Sequence, residues 1–383
     1  MHLMDLKEIV DGLELLDWII FGLFMSLIII QMGYYLTVFL KLPKYQPEEK
    51  SKSTIPVSVI VCAKNEEDNL KLFLPKLLEQ DYPDFEVIVV NDSSTDETEM
   101  LLSELSSRYK QLRFTTIPSN EKFLHGKKLA VTIGIKAALH DFVLLTDADC
   151  YPSSDQWLQL MASHFTEKKK IVLGYGKYEQ RKGFLNRLIR YETVFTAMQY
   201  LSFAIKGSPY MGVGRNLAYE KELFFKNKGF AKHYHIASGD DDLFVNETAT
   251  KENTAVEFSP ESHTLSIPET TFRRWIKQKK RHLSAGKHYT SASKIRIAGE
   301  LLSRMLLYAT FITICILSTW YLVAAIIMAI LYVVKLVVFK LNMRRLDEKF
   351  LLLLLLLFDP ILPLILGGIW FSTFFETKYQ TWN

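Results

Sequence analysis

FVLLTDADC, residues 142–150, is the stretch that decides how this chain is read. Four apolar, strand-forming residues run straight into Thr146, Asp147, Ala148 and Asp149. Such a run predicts a buried strand that ends by delivering two carboxylates to the edge of a sheet. In an extended segment residues two apart share a face, so Asp147 and Asp149 address one point. Two hard oxygen ligands on one point suit Mg2+ or Mn2+, ions that share their remaining positions with phosphates and water. An Asp pair after a strand also caps ordinary turns, so the weight comes from the rest of the chain.

Upstream, the same pattern occurs twice. VSVIVCAKNEEDNL (57–70) reads as strand, polar turn, and a helix starting near Glu66 or Glu67. FEVIVVNDSSTDET (85–98) repeats it with an Asn-Asp-Ser-Ser turn and a capped helix start. A weaker strand at 113–117 precedes HGKKLAVTIGIKAAL, with Gly126 marking the next helix. Strands alternating with helices, polar residues gathered where strands end, predict a parallel α/β sheet with its site along one edge. Lys127 and Lys128 near a helix N-terminus can hold phosphate oxygens, although paired lysines more often form a solvated face. No glycine stands where a P-loop needs one before Gly126.

Downstream, 171–178 reads as one strand, and FLNRLIRYETVFTAMQYLSFAI (184–205) as a helix that either enters the core or lies on a membrane surface. MGVGRN (211–216) is a turn whose glycines let backbone approach a ligand. SGDDDLF (238–244) places three carboxylates in a row, which repel one another unless each is used. One can cap the helix that follows, another can favour its dipole, and the third is a candidate general base. His233 and His235 nearby read as loop or core histidines rather than metal ligands. Residues 268–289 are intensely basic, with Trp275 and Tyr289 interleaved, the pattern of a helix drawn to anionic lipid.

The chain has 383 residues, of which 49% are apolar, concentrated in three zones around an ordinary middle of about 55–290. Residues 18–40 are long enough to cross roughly 30 Å of hydrocarbon, and lack the charged start and cleavage site of a signal peptide. Residues 301–341 suit two spans, broken near Ser318-Thr319-Trp320. Residues 351–375 either span once or kink at Asp359-Pro360 and re-enter. Few ionisable residues fall in the spans: Lys335, near a span end where it could snorkel, and Asp359 at the Pro break. Lysines 41, 44, 50 and 52 and the arginines 344 and 345 put the middle domain in the cytoplasm by the positive-inside rule. A net charge of +4 without any binding motif argues against nucleic acid as a partner. Cys62, Cys150 and Cys315 lack metal-ligand spacing and read as reduced.

With these strand ends in order, residues 55–290 resemble a membrane-bound member of glycosyltransferase family 2 with the GT-A fold. The resemblance implies an α/β, Rossmann-like nucleotide-sugar-binding domain flanked by transmembrane helices (18–40 and about three in 301–375), with short ends 1–17 and 376–383. It assigns Ala63, Asn65, Glu66 and Asp92 to the nucleotide and Lys127 to phosphate. Asp149 becomes the direct Mg2+ or Mn2+ ligand, with Asp147 nearer the ribose and metal water. SGDDDLF resembles the family's base segment, pointing to Asp240 with Asp241 a close second. Gln278 and Arg281 fall on the QxxRW pattern of processive synthases, whose Trp is replaced here by His282.

The implied activity is inverting transfer of a sugar from a nucleotide-sugar, expected to be UDP-linked, to a lipid-linked or glycan acceptor at the inner membrane. A processive polysaccharide synthase is the alternative within that class. A transporter or scaffold with a degenerate nucleotide-binding domain is the alternative outside it.

Overall fold

The computed structural model describes residues 6–47, 52–119, 126–234, 236 and 238–373. The expected tail 376–383, His235 and Lys50 lie outside them. The chain opens with α1 (Leu6–Tyr34), which relaxes into a π-turn at Tyr35–Phe39 and a short α2 (Lys41–Lys44). The α/β body then begins with β1 (Val57–Ala63), α3 (Glu67–Leu78), β2 (Phe85–Asp92), α4 (Thr98–Arg108) and β3 (Leu112–Ile117). It continues with α5 (Lys127–Ala137), β4 (Phe142–Asp147), β5 (Cys150–Pro152), α6 (Trp157–Ala162), β6 (Ile171–Leu173) and β7 (Gly176–Tyr178). Next come α7 (Phe184–Ile205), β8 (Leu217–Glu220), α8 (Lys221–Lys226), α9 (Asp242–Thr248), β9 (Thr254–Val256), β10 (Thr264–Ser266) and α10 (Phe272–Ala285). The chain closes with α11 (Ser291–Leu317), α12 (Tyr321–Arg345) and α13 (Leu355–Ser372).

Seven strands form the main sheet in the order β3-β2-β1-β4-β8-β6-β9, and β5-β10-β7 form a small second sheet. β1 is buried along its whole length, as its Val/Ile run requires of a central strand covered on both faces. Each fully buried Val, Ile or Leu there contributes roughly 1.5–3 kcal/mol against exposure. β1 lies parallel to β2 and β4, and its register sets Cys62 beside both Val90 and Asp147. The carboxyl ends of three strands therefore finish level. Gly134 allows α5 to close on this sheet, because a Cβ there would meet Ile60 Cγ2 at 2.5 Å.

Two readings need correction. The sheet is mixed, because β8 runs antiparallel to both β4 and β6. Residues 171–178 are two strands in two sheets, β6 and β7. They part at Gly174, where a Cβ would meet the Asn216 side chain at 2.3 Å, so the backbone bends around that amide. Asn216 fastens the bend by donating to the carbonyls of Tyr175 and Ser262.

Among the described residues four helices are long and apolar enough to cross a membrane: Glu14–Lys44, Ser291–Leu317, Tyr321–Arg345 and Leu352–Ser372. α7 does not lie loose on a surface. It is buried along most of its length, with Tyr191 against Phe339 and Phe358 and Phe195 against Phe39. α10 is likewise docked, since Trp275 is buried and Lys279 pairs with Glu192 of α7 at 2.5 Å. Lys335 does not snorkel: it is fully buried and turned toward Asp359.

Candidate active site

The site forms where β1, β2 and β4 end. Two loops cover one side of it and are laced together. Asn65, at φ 55°, accepts from Thr95 N at 2.8 Å, while its own N–H donates to Ser94 Oγ at 2.8 Å. Glu66 N donates to Thr98 Oγ1, and Asn69 donates to the Glu66 carboxylate at 2.6 Å. Burial, with the charges of Asp149 and Asp147 added, pushes the Glu66 carboxyl up to about 7. Ala63 and Asp92, both fully buried, end β1 and β2 beneath these loops. Ala63, Asn65, Glu66 and Asp92, which the resemblance assigns to the nucleotide, thus lie together on one wall.

Opposite stands Lys127, the first residue of α5. Its ammonium lies 2.7 Å from Asp147 Oδ1 and 3.2 Å from Asp240 Oδ2, which joins the two acidic segments in one cleft. Burial opposes its charge, but Asp147, Asp240 and Asp241 together outweigh that and hold its pKa well above the usual value. The same contact holds the Asp147 carboxyl below its ordinary range against the effect of burial. Asp149 moves the other way, raised by burial and by the charge of Asp147. Lys128 plays a different part: its buried ammonium ties down the carbonyls of His233 at 2.6 Å and Ile236 at 2.9 Å. His233 pairs with Glu247 at 2.7 Å rather than facing the acidic cleft.

Ligand atoms of Asp147, Asp149 and Cys150 lie within 4.8 Å of one another, a spacing one ion can span. The two carboxylates are the donors a hard divalent cation favours. Cys150 is poorly suited to it. Its thiol is buried, sits 2.9 Å from Ser266 Oγ, and is kept protonated by burial and the neighbouring carboxylates. The donor set therefore fits Mg2+ or Mn2+ through oxygen.

The three consecutive aspartates have distinct surroundings. Asp241 is the N-cap of α9: one oxygen accepts from Asp242 N at 2.8 Å and the other from Gly214 N at 2.5 Å. Asp242 accepts from Tyr289 OH at 2.7 Å and from Leu243 N at 2.8 Å. Asp240 Oδ2 has the Lys127 charge beside it but no hydrogen-bond donor aimed at it among the described residues. Burial and the charge of Asp240 raise Asp241 to about 6, and burial with Asp241 raises Asp242 to about 8.

The Asp242 shift has a consequence for stability. The folded state binds this proton more tightly than the unfolded chain, whose aspartates titrate near 4. The resulting stabilisation is complete below about pH 4 and is lost as the pH rises through about 8. Asp242→Asn keeps an acceptor for Tyr289 and removes the titration. Its thermal midpoint is expected to vary less with pH over that window and to exceed the native one on the alkaline side. Parallel pH curves for the two proteins would contradict the assignment.

Two contributors carry signals the sequence reading did not weigh. Arg215 stands in the Gly214–Asn216 turn, donates twice to Gly176 O, and acts electrostatically on Asp147 and Asp149. Its signal was the Gly-Arg-Asn step after a glycine pair. Gly176 is needed there, because a Cβ would meet Arg215 Nε at 2.3 Å. Tyr289 seals Asp242. Gln278 and Arg281, three apart on α10, share a face, and Arg281 also helps hold the Asp147 carboxyl down.

Residues 58–226 match the sequence profile described as Glycosyl transferase family 2. A probable glycosyltransferase of Bacillus subtilis, YdaM, is 30% identical over 42% of this chain and 39% of its own length. The beta-monoglucosyldiacylglycerol synthase of a Nostoc species is 29% identical over 38% of this chain and 30% of its own. The chain thus aligns with well under half of each relative. In structure, the mannosyltransferase PcManGT from Pyrobaculum calidifontis, solved with GDP-Man and Mn2+, superposes with a TM-score of 0.57 at 18% identity. That superposition covers 94% of this chain and 98% of that one, and shows that they share a fold. The fold is GT-A, and residues 58–226 carry the glycosyl transferase family 2 profile.

Proposed function

We propose that the protein transfers a sugar from a nucleotide-sugar to a lipid-linked or membrane-held acceptor, in one inverting displacement. The observation that carries this reading is Lys127, whose contacts at 2.7 and 3.2 Å unite the Asp147 strand end with Asp240 in one cleft. The loops at 63–66 and 92–95 would hold the nucleoside. A Mg2+ or Mn2+ ion held by Asp149 and Asp147 would supply positive charge to the diphosphate. Lys127, Arg215 and Arg281 add fixed charge where negative charge develops on the leaving group. Asp240, whose Oδ2 accepts no hydrogen bond among the described residues, takes the acceptor hydroxyl proton as the hydroxyl oxygen attacks the anomeric carbon and the nucleoside diphosphate departs. The relative named a beta-monoglucosyldiacylglycerol synthase supports a lipid acceptor, as do the four apolar helices.

Nucleotide class is open to a direct test. UDP or GDP with Mn2+ is expected to raise the thermal midpoint of the purified protein, with UDP the larger effect. No shift with any nucleoside diphosphate would contradict the proposed cleft.

Contacts between the helices and the body support a reading of sidedness. The turn after α12 is fastened to the body by Arg190–Glu348 at 2.5 Å and Lys177–Asp347 at 3.0 Å. Arg345 donates to Tyr45 O at 2.8 Å, so the ends of α1 and α12 share the body's side. Trp320 packs with Trp18 and Phe21 at the opposite end, as aromatics do at a membrane interface. We place the body in the cytoplasm. In a Cys315→Ser background, a cysteine at Thr319 is expected to react with an impermeant maleimide in intact cells. A cysteine at Lys52 is not, and the reverse pattern would invert the topology.

A further inference from the structure

Where α11, α12 and α13 meet beneath α7, four charged side chains are withdrawn from their surroundings. Lys335 Nζ lies 2.6 Å from Asp359 Oδ2, and both side chains are fully buried. Arg304 stands 3.4 Å from the other Asp359 oxygen and 3.3 Å from Glu300. Tyr308 donates to Asp359, and its hydroxyl lies 2.8 Å from that of Tyr332. Gln31 of α1 joins by donating to the Glu300 carbonyl and to Ser303 Oγ. Two cations face two anions, so the cluster carries no net charge to attract an ion.

The cluster also touches the floor of the α/β body. The Arg304 guanidinium lies 4.5 Å from the Phe195 ring of α7, and Lys335 lies 5.2 Å from the ring of Tyr35, where the π-turn starts. One turn away on α7, Glu192 holds Lys279 of α10, the helix that carries Gln278 and Arg281. A charge buried among apolar helices persists only when paired, and a pair fixes the helices that supply it. We infer that Glu300, Arg304, Lys335 and Asp359 form a charge-compensated lock that sets the register of α11, α12 and α13 against α7. Through the Glu192–Lys279 pair, the lock fixes where α10 meets the cleft. Its members are positioning residues. They do not form an ion path, which would need charges left free to bind and release.

The lock predicts rescue. In the full chain, purified in detergent, Lys335→Met or Asp359→Leu alone strands an uncompensated charge. Each is expected to lower the thermal midpoint by roughly 10 °C. The double variant, neutral and of similar volume, is expected to regain most of that loss. Transfer activity at a permissive temperature should follow the same order, because position rather than charge is what the reaction needs. Single variants with native midpoints would overturn the inference. So would a double variant no better than the worse single, or one that is folded yet inactive. If neither single variant yields protein, the double is still expected to, and its loss would count against the lock. The midpoints do not depend on the proposed transfer, so a failure of the lock is distinguishable from a failure of that reading.

Discussion

Asp240→Asn is expected to bind nucleotide nearly as the native protein does, while turnover falls roughly a hundred- to ten-thousandfold. The substitution keeps shape and hydrogen-bonding capacity and removes proton affinity. Of three adjacent carboxylates, Asp240 alone has an oxygen with no donor directed at it among the described residues. Asp241 is committed to the Gly214 and Asp242 N–H groups, so Asp241→Asn weakens a cap, a loss of about 1 kcal/mol. Asp242, already raised to about 8, is largely protonated near neutral pH, and its amide should cost turnover far less. Steady-state rates for the three variants, with binding measured separately, decide the matter. A dead Asp241→Asn beside a normal Asp240→Asn would move the base by one residue.

The second large effect is expected at Asp149. Asp149→Ala should abolish transfer and remove the gain in nucleotide affinity that Mg2+ or Mn2+ confers. The pair Asp147 and Asp149 is internally repulsive: burial and the charge of Asp147 both raise the pKa of Asp149. A divalent cation relieves that repulsion, whereas Lys127 reaches only Asp147 of the two. Removing Asp149 therefore removes the carboxylate that has no cation of its own. Nucleotide titrations with and without metal, on both proteins, read this directly. Full activity after chelation would contradict the metal assignment.

Much of the scaffold was legible because β1, β2 and β4 are near-continuous apolar runs that turn polar where they end. Burial on both faces demands such runs, and the same step places Asp92, Asp147 and the Asn65 loop at one edge. The antiparallel β8 was not legible, since a short strand carries no mark of its direction. Nor was the break at Gly174, which depends on an amide arriving from residue 216. Lys127 and Lys128 look alike in sequence, yet one turn geometry sends the first to carboxylates and the second to loop carbonyls. The same limit hid the membrane cluster. Lys335 and Asp359 lie 24 residues apart on different helices, and only folding sets Asp359 between Lys335 and Arg304.

The central claim, transfer of a sugar to a lipid at the membrane, is tested most directly by product. Membranes containing the protein are incubated with radiolabelled nucleotide-sugars, one donor at a time, with Mn2+, and the lipids are extracted. Label is expected in the lipid fraction for one donor, and neither Asp240→Asn nor Asp149→Ala membranes should produce it above background. No lipid-borne label with any donor, or equal label from the two variants, would contradict the claim.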